Sequence, residues 1–150
     1  MIDHVWSVLC TRSVTDRDSN TICLLDVVEQ INVVAPVSLP GALAIKLELV
    51  SLWTRTDPEL PSRGRERIRL LAPDGSQTAQ AELELDLTKF QRLRTQAQIT
   101  GLPLSGSGRY WFAVDLQREN ESTWQEVARI PVHVVVEVHA VAQAEESTHA

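Results

Sequence analysis

Hydrophobic and polar residues alternate with a period of two along most of this chain. Leu43, Ile45, Leu47, Leu49 and Trp53 fall on one parity, with Lys46, Glu48 and Thr54 on the other. Tyr110, Phe112, Val114 and Leu116 share a parity, and so do Trp124, Ala128, Ile130, Val132, Val134, Val136 and Val138. Successive side chains of a β-strand point to opposite faces, so this is the pattern of strands that bury one face. It predicts strands near residues 4–12, 21–34, 43–55, 64–72, 77–87, 91–100, 109–118 and 123–138. Between them lie the breakers DRDSN, APVSLPG, TDPELPSRG, PDGS, GLPLSGSG and RENES, rich in Gly, Pro, Asn, Asp and Ser.

Residues 77–99 are open to a second reading. Their Ala, Glu, Leu, Gln and Arg content favours a helix, and Ala79, Leu83, Leu87, Phe90 and Ala97 could line one helical face. Charge order favours two strands instead. A two-residue turn at Asp74-Gly75 would close a hairpin. Arg67 then faces Glu82, Arg65 faces Glu84 and Arg63 faces Asp86, while Ile68 meets Ala81 and Leu70 meets Ala79 on the other side. If TKF closes the next hairpin, with Leu87 opposite Gln91, Arg92 faces Asp86 and Arg94 faces Glu84. An acidic strand would lie between two basic ones, each cross-strand pair stabilising by roughly 0.2–1 kcal/mol. Eight short strands at regular spacing predict an all-β, antiparallel, immunoglobulin-like β-sandwich of seven or eight strands.

The chain has 150 residues, 43% of them apolar, which suits one domain with its own core. That domain is expected to span 1–138, with 139–150 a polar, flexible C-terminal tail. The net charge of −6 repels phosphate backbones and anionic lipid, so neither nucleic acid nor membrane is the expected partner. Residues 1–10 carry Asp3, His4 and Ser7 and do not read as a secretory segment; VHVVVEVHAVA is too short and too polar to span a bilayer. The expected compartment is the cytoplasm, where Cys10 and Cys23 would be buried thiols.

Candidate chemistry is thin. Asp16, Asp18 and Asn20 alternate in TDRDSNTICLLD, a spacing that could converge oxygens on calcium at a loop tip. An EF-hand would need Gly and Glu where Thr21 and Val27 stand, so that motif is excluded. The competing and favoured reading is a turn stabilised by Asp and Asn side chains. Arg63, Arg65, Arg67 and Arg69 would share one strand face; a basic stripe can hold phosphates, yet the ladder pairs three of the four with carboxylates. The histidines are scattered, and His133 has outward parity. No G-x-S-x-G or H-E-x-x-H occurs, and GLPLSGSGRY lacks the lysine of a phosphate loop and reads as a flexible connection. If DRDSN closes a hairpin between Asp16 and Arg17, Cys10 and Cys23 face each other. In GRYWFAVDL, Tyr110 and Phe112 point one way and Trp111 the other, which makes Trp111 an outward contact candidate.

At GRYWFAVDLQRENESTWQEVARIPVHV the chain resembles a family of small bacterial domains of unknown function. The residues that carry the likeness are Gly108, Tyr110, Phe112, Val114, Val127, Ala128, Ile130 and Pro131, with VWSVLCTR, LLDVVEQI and PDG before them. The resemblance implies a sandwich fold and transfers no ligand, partner or catalytic residue. The expected function is therefore a non-catalytic, cytoplasmic binding module that contacts another protein, through Trp111 and open sheet edges. Self-association through a sheet edge is a further expectation. Two alternatives stand beside it: a calcium- or small-ligand-binding sandwich using Asp16, Asp18 and Asn20, and a small hydrolase built from distant residues around Cys10 or Cys23.

Overall fold

The computed structural model describes residues 1–34 and 40–137, and these form two β-sheets with no helix among them. The strands are β1 (Ile2–Thr15), β2 (Ile22–Val27), β3 (Gln30–Val34), β4 (Gly41–Arg55), β5 (Ser62–Leu71), β6 (Gln77–Leu87), β7 (Arg92–Leu104), β8 (Gly108–Arg118) and β9 (Gln125–Glu137). The first sheet has the order β2-β1-β4-β7 and is antiparallel. The second has the order β3-β9-β8-β5-β6 and is mixed, because β3 runs parallel to β9. The expected tail at 139–150 lies outside the described residues, as does most of the APVSLPG breaker.

Both sheets feed one core. Ile2, Leu9, Leu49 and Trp53 come from the first; Leu85, Leu87, Tyr110, Phe112, Leu116, Val132 and Val134 come from the second. Each such side chain contributes roughly 1.5–3 kcal/mol by leaving water, so this shared cluster holds the layers together.

The β5–β6 register is the one the charge order predicted. Arg63 faces Asp86, Arg65 faces Glu84, Arg67 faces Glu82, Ile68 faces Ala81 and Leu70 faces Ala79. The turn itself differs from expectation. Ala72 N–H donates to Ser76 O and Gly75 N–H donates to Ala72 O, so three residues close the hairpin, with Gly75 at φ 88°. A bulge between Leu70 and Leu71 then restores the expected pairing.

The second predicted hairpin does not form. Residues 88–91 cross from the second sheet to the first, and β7 pairs with β4, placing Arg92 opposite Thr54 and Arg94 opposite Leu52. Arg55, at the end of β4, secures the crossing: its Nε donates to Leu87 O at 2.7 Å and its Nη2 to Thr88 O at 2.9 Å. The carbonyls that a hairpin ladder would have used are satisfied by a side chain of the opposite sheet.

Among the described residues there are nine strands where seven or eight were expected, because 21–34 divides. Asp26 adopts a left-handed φ of 52°, the chain leaves the first sheet after Val27, and Glu29 O accepts from His133 N to start the parallel pairing of β3. The expected pairing of Cys10 with Cys23 is also displaced: Cys10 faces Val27 and Cys23 faces Val14. The strand continues to Thr15, and the turn spans Asp16–Asn20, closed by Asp16 N donating to Thr21 O. Likewise, GLPLSGSG is not all connection, since β7 runs through Leu104, and Leu102 and Leu104 are buried. Only the short Ser105–Ser107 turn separates β7 from β8, and Tyr110 grips it. The buried phenol accepts N–H from Ser105 at 2.9 Å and from Gly106 at 3.3 Å, and donates to Gly106 O at 2.9 Å.

Candidate functional site

Two groups of polar side chains stand out, one on the outer face of the second sheet and one inside the core. The outer group starts from β8, whose inward parity carries Tyr110, Phe112 and Val114. Its outward parity carries Arg109, Trp111, Ala113 and Asp115, as expected for Trp111. Trp111 is partly exposed, and the guanidinium groups of Arg109 and Arg129 each lie 5.7 Å from its ring centroid. Arg109 faces His133 across the β8–β9 ladder, and both are exposed.

Asp115 organises the rest of this face. Its carboxylate is 1% exposed and accepts from Arg67 Nε at 2.7 Å, from Arg69 Nε at 2.6 Å and from Arg69 Nη2 at 3.0 Å. Burial alone would raise this carboxyl, but the Arg69 and Arg67 bonds and charges outweigh it and hold the group below the ordinary range. Arg69 and Arg129 share Glu126, at 3.1 and 2.9 Å, and Arg67 lies 4.4 Å over the Trp124 ring. Arg67 therefore turns to Asp115 on β8, although Glu82 is its register partner on β6. Arg65 takes both Glu82 at 3.1 Å and Glu84 at 3.2 Å, and Arg63 lies 3.9 Å from Asp86. All four arginines of the stripe are thus ion-paired. Around Trp111 the balance is different. Arg67, Arg69, Arg109 and Arg129 meet only Asp115 and Glu126, and Arg109 makes no ion pair among the described residues. A locally positive aromatic patch results on a chain of net charge −6.

The inner group surrounds Glu66, which is 0% exposed. On the first sheet, Ser7, Ser51 and Thr95 stand in one row, because Ser7 faces Ser51 and Ser51 faces Thr95 across β1, β4 and β7. Glu66 reaches them from β5 of the opposite sheet. Thr95 Oγ1 donates to Glu66 Oε1 at 2.6 Å and accepts from Trp53 Nε1 at 3.2 Å. Ser51 Oγ lies 3.2 Å from Oε2, Ser7 Oγ lies 2.6 Å from Ser51 Oγ, and His4 Nε2 lies 2.7 Å from Ser7 Oγ. A bulge between His4 and Trp6 lets His4 and Ser7 both face inward. The His4 ring packs edge-on to Trp53 at 5.1 Å. Burial raises the Glu66 carboxyl, against the hydrogen bonds of Thr95, Ser51 and Trp53, and burial lowers His4, so both groups favour their neutral forms.

His4 and Ser7 have the spacing of a base and a nucleophile, but Ser7 is tied inward to Ser51. No third group orients the other His4 nitrogen among the described hydrogen bonds, as a hydrolase would require. The thiols are no better placed for attack. Cys10 is buried, and burial together with the Glu48 charge raises its pKa; Cys23 is exposed, against the expectation that both are buried.

In the Asp16–Asn20 loop, Asp16 Oδ1 accepts N–H from Asp18 at 2.8 Å and from Ser19 at 3.2 Å, which lowers its pKa. Arg94 Nη2 donates to Asn20 O and Oδ1, both at 2.8 Å. The Asp16 bonds are those of a turn, and the Asn20 oxygens, expected as calcium ligands, accept from Arg94 instead. Asp18 makes no side-chain bond comparable to that of Asp16 among the described contacts. Among the described residues no three His, Cys, Asp or Glu side chains form a group that could hold a metal ion, and no helix is long and apolar enough to cross a membrane.

The Glu66 cluster escaped the sequence reading although part of its signal was present. Glu66 has the parity of Ile68 and Leu70, and Ser51 that of Leu49 and Trp53, so the alternation points both inward, although neither was singled out. His4 was not, because its inward direction depends on the bulge. No protein-family model matches this sequence, and no curated protein matches it.

Proposed function

We propose that this chain is a non-catalytic, cytoplasmic binding module of the immunoglobulin-like sandwich class, and that its partner is another protein docking on the outer face of the second sheet around Trp111. The fold part of this reading is supported by the Tyr110 hydroxyl, which anchors the turn between β7 and β8 in the manner of the tyrosine corner of such sandwiches. The chain lacks their inter-sheet disulfide, since Cys10 and Cys23 are free, which also suits a reducing compartment.

One observation carries the functional part: Trp111 is held outward with two guanidinium groups each 5.7 Å from its ring, on a face where Arg67, Arg69 and Arg129 are drawn into ion pairs. Tryptophan and arginine are the side chains that most often dominate protein interfaces. The surplus positive charge selects a partner segment with carboxylates beside an apolar or aromatic anchor.

Capture from the native host with wild type, Trp111→Ala, Arg109→Glu and Phe90→Ala tests this. Phe90 is 64% exposed and lies away from the patch, between β6 and β7. One protein lost with the first two variants and kept with the third supports the proposal. Equal retention by all variants, or no captured protein with wild type, contradicts it.

A further inference from the structure

We propose that Glu66, sealed in the core, exchanges its proton with solvent through Ser51, Ser7 and His4, and that its ionisation reverses every hydrogen bond of that chain and switches the tautomer of His4.

Trp53 Nε1 only donates, so Thr95 Oγ1 accepts from it and gives its own proton to Glu66 Oε1. Oε1 is thereby fixed as an acceptor in both ionisation states, and the titrating proton belongs to Oε2. The partner of Oε2 is Ser51 Oγ, then Ser7 Oγ, then His4 Nε2. Each hydroxyl has one proton, so one link cannot turn around without the next.

With Glu66 protonated, Oε2–H donates to Ser51, Ser51 to Ser7, and Ser7 to the lone pair of His4 Nε2. The neutral imidazole then carries its proton on Nδ1. On ionisation, the Oε2 proton moves to Ser51, the Ser51 proton to Ser7, the Ser7 proton to Nε2, and the Nδ1 proton leaves to water. One proton is lost, and no bond other than O–H and N–H is made or broken. His4 and Ser7 are partly exposed whereas Ser51 and Glu66 are not, so the chain meets solvent at its β1 end, where the imidazole is the group that can release a proton.

The groups facing Glu66 are Ser51 and Trp53 from β4, Thr95 from β7, and Ser7 and His4 from β1. Its register neighbours are Leu83 on β6 and Leu116 on β8. The charged residues flanking it, Arg65 and Arg67 on β5, Glu82 and Glu84 on β6 and Asp115 on β8, belong to the outer parity and enter the pairs described above. Among the described residues no charged side chain hydrogen-bonds to this chain, so His4 and Glu66 report on each other through the hydroxyls. This device is independent of the Trp111 patch.

Nitrogen-15 spectra of the His4 imidazole in wild type and Glu66→Gln test it. In the variant, the amide oxygen accepts from Thr95 and the amide N–H donates to Ser51, which locks the polarity of the protonated acid. As pH rises through the ionisation of Glu66, wild type is expected to move the proton of its neutral imidazole from Nδ1 to Nε2, and the variant to keep it on Nδ1 throughout. The same tautomer in both at every pH overturns the proposal. Should the variant not fold, the wild-type titration decides: transfer of the neutral imidazole proton from Nδ1 to Nε2 as pH rises supports the chain, and one tautomer throughout overturns it.

Discussion

Glu66 and Asp115 are both near-fully buried carboxyls, and their surroundings drive them in opposite directions. Glu66 is met by hydroxyls and an indole, none of them charged, so burial prevails and its pKa rises. Its folded form binds a proton more tightly than the unfolded chain does. The associated stability is complete below the ordinary glutamate pKa of about 4.3 and is lost as pH rises through the folded value. Glu66→Gln removes that loss. Urea unfolding at pH 4 and pH 8 is expected to give similar stabilities at pH 4 and a more stable variant at pH 8; a constant difference would contradict the account. Asp115 is met by two guanidiniums, and its pKa falls despite burial. Its stabilisation is present above the ordinary aspartate pKa of about 3.9 and is lost as pH falls through the lower folded value. Asp115→Asn is expected to cost about 2–3 kcal/mol at pH 7, the scale of hydrogen bonds to charged groups, in the same unfolding experiment. A change within error would mean that the arginines do not need it.

Legibility at the level of elements follows the range of the forces involved. The β5–β6 register was readable because a local turn and a complementary charge order both specify it, and side chains four to twelve residues from the turn report on each other directly. The partner of β7 was not readable. Its apolar parity, seen at Ala97 and Ile99, states that one face is buried but not against which strand, and the deciding contact comes from Arg55, over thirty residues away. The bulges that set the hairpin pairing and turn His4 inward are single-residue insertions with no compositional mark. Trp111 was placed outward by parity alone, and Arg109 shares that parity on β8, but Arg129 comes from β9 and only the folded sheet brings it beside the ring. The β7–β8 corner is the element most directly open to test. Tyr110→Phe leaves two backbone N–H groups and a carbonyl without their partner, and is expected to lower stability by about 1–2 kcal/mol in thermal or urea unfolding. An unchanged midpoint would show that the turn holds without the hydroxyl.

At the scale of the whole molecule, two sheets separate two kinds of polar chemistry. The interior holds one carboxyl whose hydrogen bonds are complete, and no buried side-chain nitrogen or oxygen among the described residues lacks a partner. The exterior of the second sheet gathers Arg67, Arg69 and Arg129 into ion pairs with Asp115 and Glu126, while among the described residues Arg109 beside Trp111 makes none. For the proposed docking at this face, a few residues would supply both anchor and selectivity, since an interface hot spot carries about 2 kcal/mol or more. Calorimetric titration of the captured partner into wild type and Trp111→Ala is the most direct measurement of that claim. The account predicts affinity at least roughly 30-fold weaker for the variant, equivalent to about 2 kcal/mol, with no change in its unfolding midpoint beyond that of a surface substitution. Equal affinity in the two proteins would contradict it.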